Sequence, residues 1–349
     1  MASSSFSGTR PYRVAAFAGL VVVGSTAAQV PVMISGGALR GFVVDSVSGQ
    51  PIPHALVSYA DQRFFAGPNG HFVVRGVRTG PGTLTVAQIG YGARTLALQI
   101  QPDTSATSVE LRVALIRQPL VLPELNVTAS LGCARGTIPG TGDLDPAILA
   151  VLENAERLLV LEHTYPFEST FIFQSKEYDA QEKLISANGG SLRIRTKSMK
   201  GYQPGRVLER SGRVVNYFTI SDLARPTFRQ THCFWHASID TLNGQETHTI
   251  EFEPLAAATW PDWSGRLTVT AATSQLVQSS ATLVNLDSTK TNLRSVRCTV
   301  VYGEVVATVF HEELAQCVLA EARKTDWTTT VETSRFGGVR FVGRKPGDP

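Results

Sequence analysis

The chain has 349 residues, 43% hydrophobic and 17% charged, which supplies apolar material for packed cores and excludes wholesale disorder. Its 32 basic and 29 acidic residues leave a net charge of +3 with no Lys/Arg run, so a nucleic-acid footprint is missing. The length accommodates two domains, and 30 glycines and 18 prolines scattered at turn-like points suit a mostly β chain.

Residues 1–28 read as a secretory signal peptide. Met1–Arg13 is polar, with Arg10 and Arg13 and no acidic residue. Val14–Gly24 is uninterrupted apolar and small, and Ser25–Gln29 places small residues at the −3 and −1 positions of a cleavage site. The apolar core falls short of the roughly 20 residues that span a bilayer. No later stretch is apolar for long enough either, so no transmembrane helix is expected in the mature chain. Export makes disulfides plausible among Cys133, Cys233, Cys298 and Cys317. No pair has C-x-x-C spacing, and spacing leaves all three pairings open.

Short strands follow between turn signals. Leu39–Asp45, Ala55–Tyr59, His71–Val74, Thr83–Ile89, Thr95–Ile100 and Val109–Leu115 are predicted strands. Ser46–Pro53, Gly67-Pro68-Asn69-Gly70 and Gly80-Pro81-Gly82 are predicted turns. Strands at this spacing predict a β-sandwich over 39–115. Residues 116–144, with Pro119, Pro123 and Pro139, read as a linker. Asp145-Pro146 then opens a helix, Asp as N-cap and Pro at its first position, with an apolar stripe from Ile148 to Val160 and an end near His163–Pro166.

From Phe167 the pattern is β-rich. Candidate strands are Phe167–Tyr178, Ser191–Thr196, Val214–Phe218, Phe234–Asp240, Thr247–Phe252, Gly265–Thr270, Gln275–Leu286, Leu293–Tyr302, Val305–His311 and Thr328–Thr333, with a hairpin turn at Tyr302-Gly303-Glu304. Gly189-Gly190 and Gly337-Gly338 read as turns. The expected class is therefore mainly β: a transthyretin/Ig-like sandwich, then a helix plus a curved, half-barrel-like antiparallel sheet over 145–343.

Gly41-x-Val43-x-Asp45, Ser48-Gly49-x-Pro51-Ile52-x-x-Ala55-x-Val57, Asn69-Gly70-x-Phe72 and Ile89-Gly90-Tyr91 follow one another in order. Together they resemble the running signature of the carboxypeptidase regulatory-like domain, with Ala66-Gly67-Pro68 departing from the family's Thr-rich, Asp-containing lead into the turn. The resemblance implies a transthyretin-like sandwich that accompanies enzymes and receptors, and it does not imply a peptidase. Leu122–Ala129 resembles the segment that follows this module in TonB-dependent outer-membrane receptors, but no plug or long strand series comes after it. Cys233-Phe234, Ile250–Pro254 and Trp263-Ser264-Gly265-x-Leu267-x-Val269 resemble the tail behind this module in bacterial envelope proteins of unassigned function. Gly265–Leu276 also resembles a strand-turn-strand of LolA-like lipoprotein carriers, with Ala271-Ala272 where an Asp usually stands. The envelope-protein resemblance implies a Cys133–Cys233 disulfide and leaves Cys298 and Cys317 as a second pair.

No catalytic constellation emerges. His248-Thr-Ile-Glu251 is an H-x-x-E with His232 and His236 nearby, the raw material of a zinc peptidase. It falls in a predicted strand, where residues three apart face opposite ways, so no metal site is expected. G-x-S-x-G and Gly-rich phosphate loops are absent from the sequence, and no cofactor is called for. Trp235, Trp260 and Trp263 gather around a Pro-containing loop and are the candidate binding residues, for stacking on sugars or anchoring a partner. The expectation is a non-enzymatic exported protein, periplasmic or outer-membrane associated, that binds an envelope or outer-membrane protein, a glycan or a lipid. A carbohydrate-binding accessory protein is the alternative, and a zinc metallopeptidase a remote one.

Overall fold

The computed structural model describes residues 32–35, 38–102, 110–118, 132–139, 144–195, 201–209, 213–214, 216–306, 308–324 and 326–348. The expected signal peptide and the receptor-like stretch Leu122–Ala129 lie outside them, as do Thr196 and most of the linker.

The first eight strands are β1 (Val32–Ser35), β2 (Ala38–Asp45), β3 (Leu56–Tyr59), β4 (Gln62–Phe65), β5 (His71–Arg75), β6 (Gly80–Ala87), β7 (Arg94–Gln101) and β8 (Glu110–Leu115). They form a five-stranded sheet, β1-β7-β6-β3-β4, facing a three-stranded one, β5-β2-β8. Alternation explains the packing. Leu39 and Val43 of β2, Leu111 and Val113 of β8, Leu84 and Val86 of β6, and Leu98 and Ile100 of β7 are buried, with intermediate or exposed residues between them. Gly70 closes the Asn-Gly turn at φ +74, and a Cβ there would sit 2.5 Å from the Val43 carbonyl oxygen. One reading needs correction, and two strands were not expected. Gly80-Pro81-Gly82 begins β6, with Pro81 opposite Gln99, a position near a strand's start that proline tolerates. β1 and β4 carry too few residues to register as periodic segments.

Helix α1 (Pro146–Thr164) begins where expected: Asp145 Oδ1 accepts the Ala147 N–H at 2.8 Å. It buries Ile148, Val151, Leu152, Ala155, Leu158 and Leu161. Nine strands follow: β9 (Phe167–Tyr178), β10 (Leu184–Arg195), β11 (His232–Leu242), β12 (Gln245–Pro254), β13 (Asp262–Thr270), β14 (Leu276–Val284), β15 (Leu293–Val306), β16 (Val309–Ala322) and β17 (Trp327–Phe341). All neighbours pair antiparallel, in the order β10-β9-β17-β16-β15-β14-β13-β12-β11. α1 packs on one side against β11, β12, β13 and β16 and reaches β4 of the sandwich on the other, so both β parts share one compact unit, Pro31–Pro349. The junction has its own bonds. The Phe65 N–H donates to Tyr165 Oη at 3.0 Å. Asn154 of α1 donates to the Ser274 carbonyl at 2.8 Å and accepts from the Leu276 N–H at 3.3 Å.

Between β10 and β11 the chain departs from expectation. The described residues of Val214–Phe218 form no strand: Val214 makes an isolated bridge to Leu208, and Phe218 leads into a 3₁₀ turn, Ile220–Ala224, and α2 (Pro226–Thr231). Ile220, Leu223 and Phe228 fill the core there. Tyr302-Gly303-Glu304 lies inside β15, whose hairpin with β16 turns at Thr308, φ +65. Gly189-Gly190 sits mid-strand in β10, and Gly337-Gly338 in β17, where the register slips between Phe336 and Gly338.

Among the described residues β10 pairs only with β9, and its Leu184, Ile185 and Leu192 are each about half exposed. Backbone amides of such an edge open at low cost. Amides of β10 are expected to exchange at least about 100-fold faster than those of β14, as read by hydrogen–deuterium exchange. Equal protection would mean that something covers this edge.

Candidate functional site

Strands β11 to β14 build a polar groove on the convex face. Register sets its rows: Trp235, Glu251, Arg266 and Ser280 stand opposite one another, and the next row is Ser238, Thr249, Thr268 and Gln278. Their sequence neighbours Ile250, Leu267 and Ala281 point the other way, into the core. Arg266 Nε meets Glu251 Oε1 at 2.6 Å, the carboxylate 19% and the guanidinium 67% exposed. The groove has a volume of about 860 Å³.

Its outer wall comes from the linker. Thr137 exchanges both backbone hydrogen bonds with Phe234, at 2.9 Å each, and adds one rung beyond the edge strand β11. Cys133–Cys233 stitches the same segment down, and Arg135 thereby reaches the groove. Gly136 permits this approach: φ is +74, and a Cβ would lie 2.2 Å from the Phe234 carbonyl oxygen. The pairing implied for Cys133 and Cys233 is thus the one present. The second pair, Cys298–Cys317, joins directly opposed residues of β15 and β16.

The three tryptophans are not brought together. Trp235, 9% exposed, lines the groove. Trp263 is in the core at 1%, its indole N–H donating to the Asn216 carbonyl at 3.1 Å. Trp260, 36% exposed, donates to Asp262 Oδ2 at 3.1 Å and lies against Gly205. Arg266, Thr249, Thr268 and Gln278 are not singled out by the sequence, and Glu251 is singled out there only as half of the H-x-x-E. Their signal was the polar half of each alternation, which has no meaning until register aligns four strands.

His248 faces the concave side beside Ile250, and Glu251 faces the convex side, so the H-x-x-E pair does not converge. His232 is fully buried and stacked on Phe228 at 3.8 Å, its ring nitrogens 3.0 and 3.1 Å from the Phe228 and Trp263 carbonyl oxygens. Among the described residues no three His, Cys, Asp or Glu side chains form a metal-holding group.

The concave side carries buried acid. Burial pushes the Glu162 carboxyl of α1 up to about 7, and Asp222 and Glu312 raise it further. Burial, then Asp222, do the same to Glu312, also to about 7. Glu153 reaches about 7 through burial. Such carboxyls stay protonated in the folded chain where unfolded ones ionise. Their stabilisation is complete below about pH 4.5 and is lost as pH rises through about 7. His54, His232 and His311, held below the ordinary value by burial, act in the opposite sense, but only below about pH 6.5. Between about pH 6.5 and 8 the carboxyls act alone, and unfolding free energy is expected to fall by about 2 kcal/mol. Urea titrations across that range read the slope. Glu162→Gln should stabilise by about 2 kcal/mol near pH 8 and remove roughly a third of the slope. A flat or rising profile would refute this.

Residues 38–115 match the carboxypeptidase regulatory-like domain family. Several solved structures are similar to parts of the chain. A LolA superfamily protein from Nitrosomonas europaea is 12% identical, with a TM-score of 0.32 over 57% of this chain and 94% of that one. A putative outer membrane lipoprotein-sorting protein domain from Vibrio parahaemolyticus is 13% identical, with a TM-score of 0.33 over 56% and 93%. A putative carbohydrate binding protein from Bacteroides uniformis is 8% identical, with a TM-score of 0.20 over 70% and 93%. No curated protein matches the chain. Among the described residues no helix is long and apolar enough to cross a membrane.

Proposed function

We propose that this chain, a carboxypeptidase regulatory-like domain locked onto a nine-stranded sheet, is an exported, non-enzymatic binding protein of the cell envelope whose ligand is a glycan held in the convex groove. The supporting observation is the pair of rows Trp235-Glu251-Arg266-Ser280 and Ser238-Thr249-Thr268-Gln278 across four paired strands. Fixed strands present side-chain hydroxyls, an amide, a carboxylate and a guanidinium at regular spacing. Sugar hydroxyls both donate and accept, so they match such a mixed set, and Trp235 supplies the apolar edge that a pyranose C–H face needs. The groove's volume, about 860 Å³, admits an oligosaccharide. Arg266 and Glu251 pair with each other, so a ligand meets them already oriented and loses less free energy on ordering them.

A panel of bacterial envelope glycans, presented on an array and followed by calorimetry, tests this reading. Binding is expected to weaken at least about tenfold in Arg266→Ala and in Trp235→Ala, the loss of one charged hydrogen bond or one aromatic contact. Affinity undiminished in both variants, or no binding across the panel, would dismiss the groove as a glycan site.

A further inference from the structure

One pair of side chains serves neither the groove's polar rows nor the apolar core. His236 of β11 and His248 of β12 face the concave side at 5% and 1% exposure. Nε2 of His236 and Nδ1 of His248 lie 3.3 Å apart. The Ser238 carbonyl oxygen is 3.1 Å from the same Nε2. It is aimed there by a bulge, where the register of β11 slips between His236 and Ser238. The far nitrogens look toward carboxylates: His236 Nδ1 is 3.7 Å from Asp145 Oδ2, and His248 Nε2 is 3.8 Å from Glu246 Oε1. Neither far nitrogen has a hydrogen-bond partner among the described residues.

One proton on His236 Nε2 can serve both the Ser238 carbonyl oxygen and His248 Nδ1; the alternative tautomers carry the ring protons on the far nitrogens, facing Asp145 and Glu246 at 3.7 and 3.8 Å. Two lone pairs and a carbonyl oxygen are then left converging on one buried point. Either a ring proton or a metal cation can occupy that point. The spacing suits a cation, because nitrogens 2.0–2.1 Å from a tetrahedral metal stand about 3.3 Å apart.

We propose that His236 Nε2, His248 Nδ1 and the Ser238 carbonyl oxygen form a site for one imidazole-preferring divalent cation, Zn²⁺, Cu²⁺ or Ni²⁺, with Asp145 and Glu246 holding the two rings from behind. The site does not depend on what the groove binds.

Equilibrium dialysis of the metal-stripped mature chain against Zn²⁺, Ni²⁺ or Cu²⁺ alone, near neutral pH and with elemental analysis, tests this. One equivalent per chain is expected for at least one of the three. His236→Ala and His248→Phe should each abolish binding, and Glu246→Gln, at an exposed position, should weaken it about tenfold. Should the histidine variants fail to fold, nitrogen-15 NMR of the wild-type imidazoles gives the answer. Metal addition should shift His236 Nε2 and His248 Nδ1 and leave His232 in place. Less than about a tenth of an equivalent bound, binding undiminished in both histidine variants, or imidazole signals unmoved by metal would overturn the site.

Discussion

Arg157→Ala is expected to destabilise the chain by about 3–5 kcal/mol, more than any other single substitution considered for it. Arg157 leaves α1 fully buried, and its guanidinium joins three parts of the molecule. Nη2 donates to the His54 carbonyl of the sandwich at 2.5 Å and to Thr308 Oγ1 of the β15–β16 turn at 2.6 Å, while Nε donates to the Thr308 carbonyl at 3.0 Å. The guanidinium also lies 5.0 Å from the centroid of the Phe65 ring. Burial lowers its pKa to about 10, so it remains charged at neutral pH. Removing it strands two part-buried carbonyls and a hydroxyl and leaves a cavity against Phe65. Lysine keeps the charge without the fork, and Arg157→Lys should cost about half as much. Thermal or urea unfolding gives the number. A loss below about 1 kcal/mol would mean that the Arg157 bonds do not hold the sandwich to the sheet.

Removing Cys133–Cys233, as Cys133→Ala with Cys233→Ala, is expected to cost about 2–4 kcal/mol and to weaken groove binding as well. The bond closes a loop across 100 residues of sequence, so the unfolded chain gains much freedom when it is lost. It also pins the wall that carries Arg135, next to the Thr137 rung on β11. Cys298–Cys317 spans 19 residues within a hairpin already paired along its length. Its removal should cost about 1 kcal/mol less than that of Cys133–Cys233 and leave groove affinity unchanged. The contrast between the two double variants separates local wall geometry from global stability. Equal ligand affinity in both would remove the linker from the site.

Much of the fold could be read because its signals are local. β9 begins and ends on the predicted residues, and α1 starts at the predicted Asp-Pro cap, because a cap, a proline and a period of two act within a few residues. The sandwich followed from ordered turn motifs that a family shares. Glycine misled in both directions: Gly80, Gly189 and Gly303 signal turns locally, but pairing with β7, β9 and β16 holds them in strands. The 3₁₀ turn and α2 escaped notice because five or six residues are too few for a helical period. Of the site, only Trp235 and the Cys133–Cys233 bond were visible beforehand. The groove is a product of cross-strand register, and register is a property of strand pairs that no single strand's sequence carries.

The chain's four tryptophans provide the most direct test of the binding groove. Nitrogen-15 indole NMR of the mature protein, titrated with a glycan that it binds, reports on each ring separately. Ligand in the groove should move the Trp235 indole signal and leave Trp263, enclosed in the core, where it was. A titration that leaves Trp235 unmoved while Trp260 shifts would place the ligand at the 255–261 loop and contradict the groove.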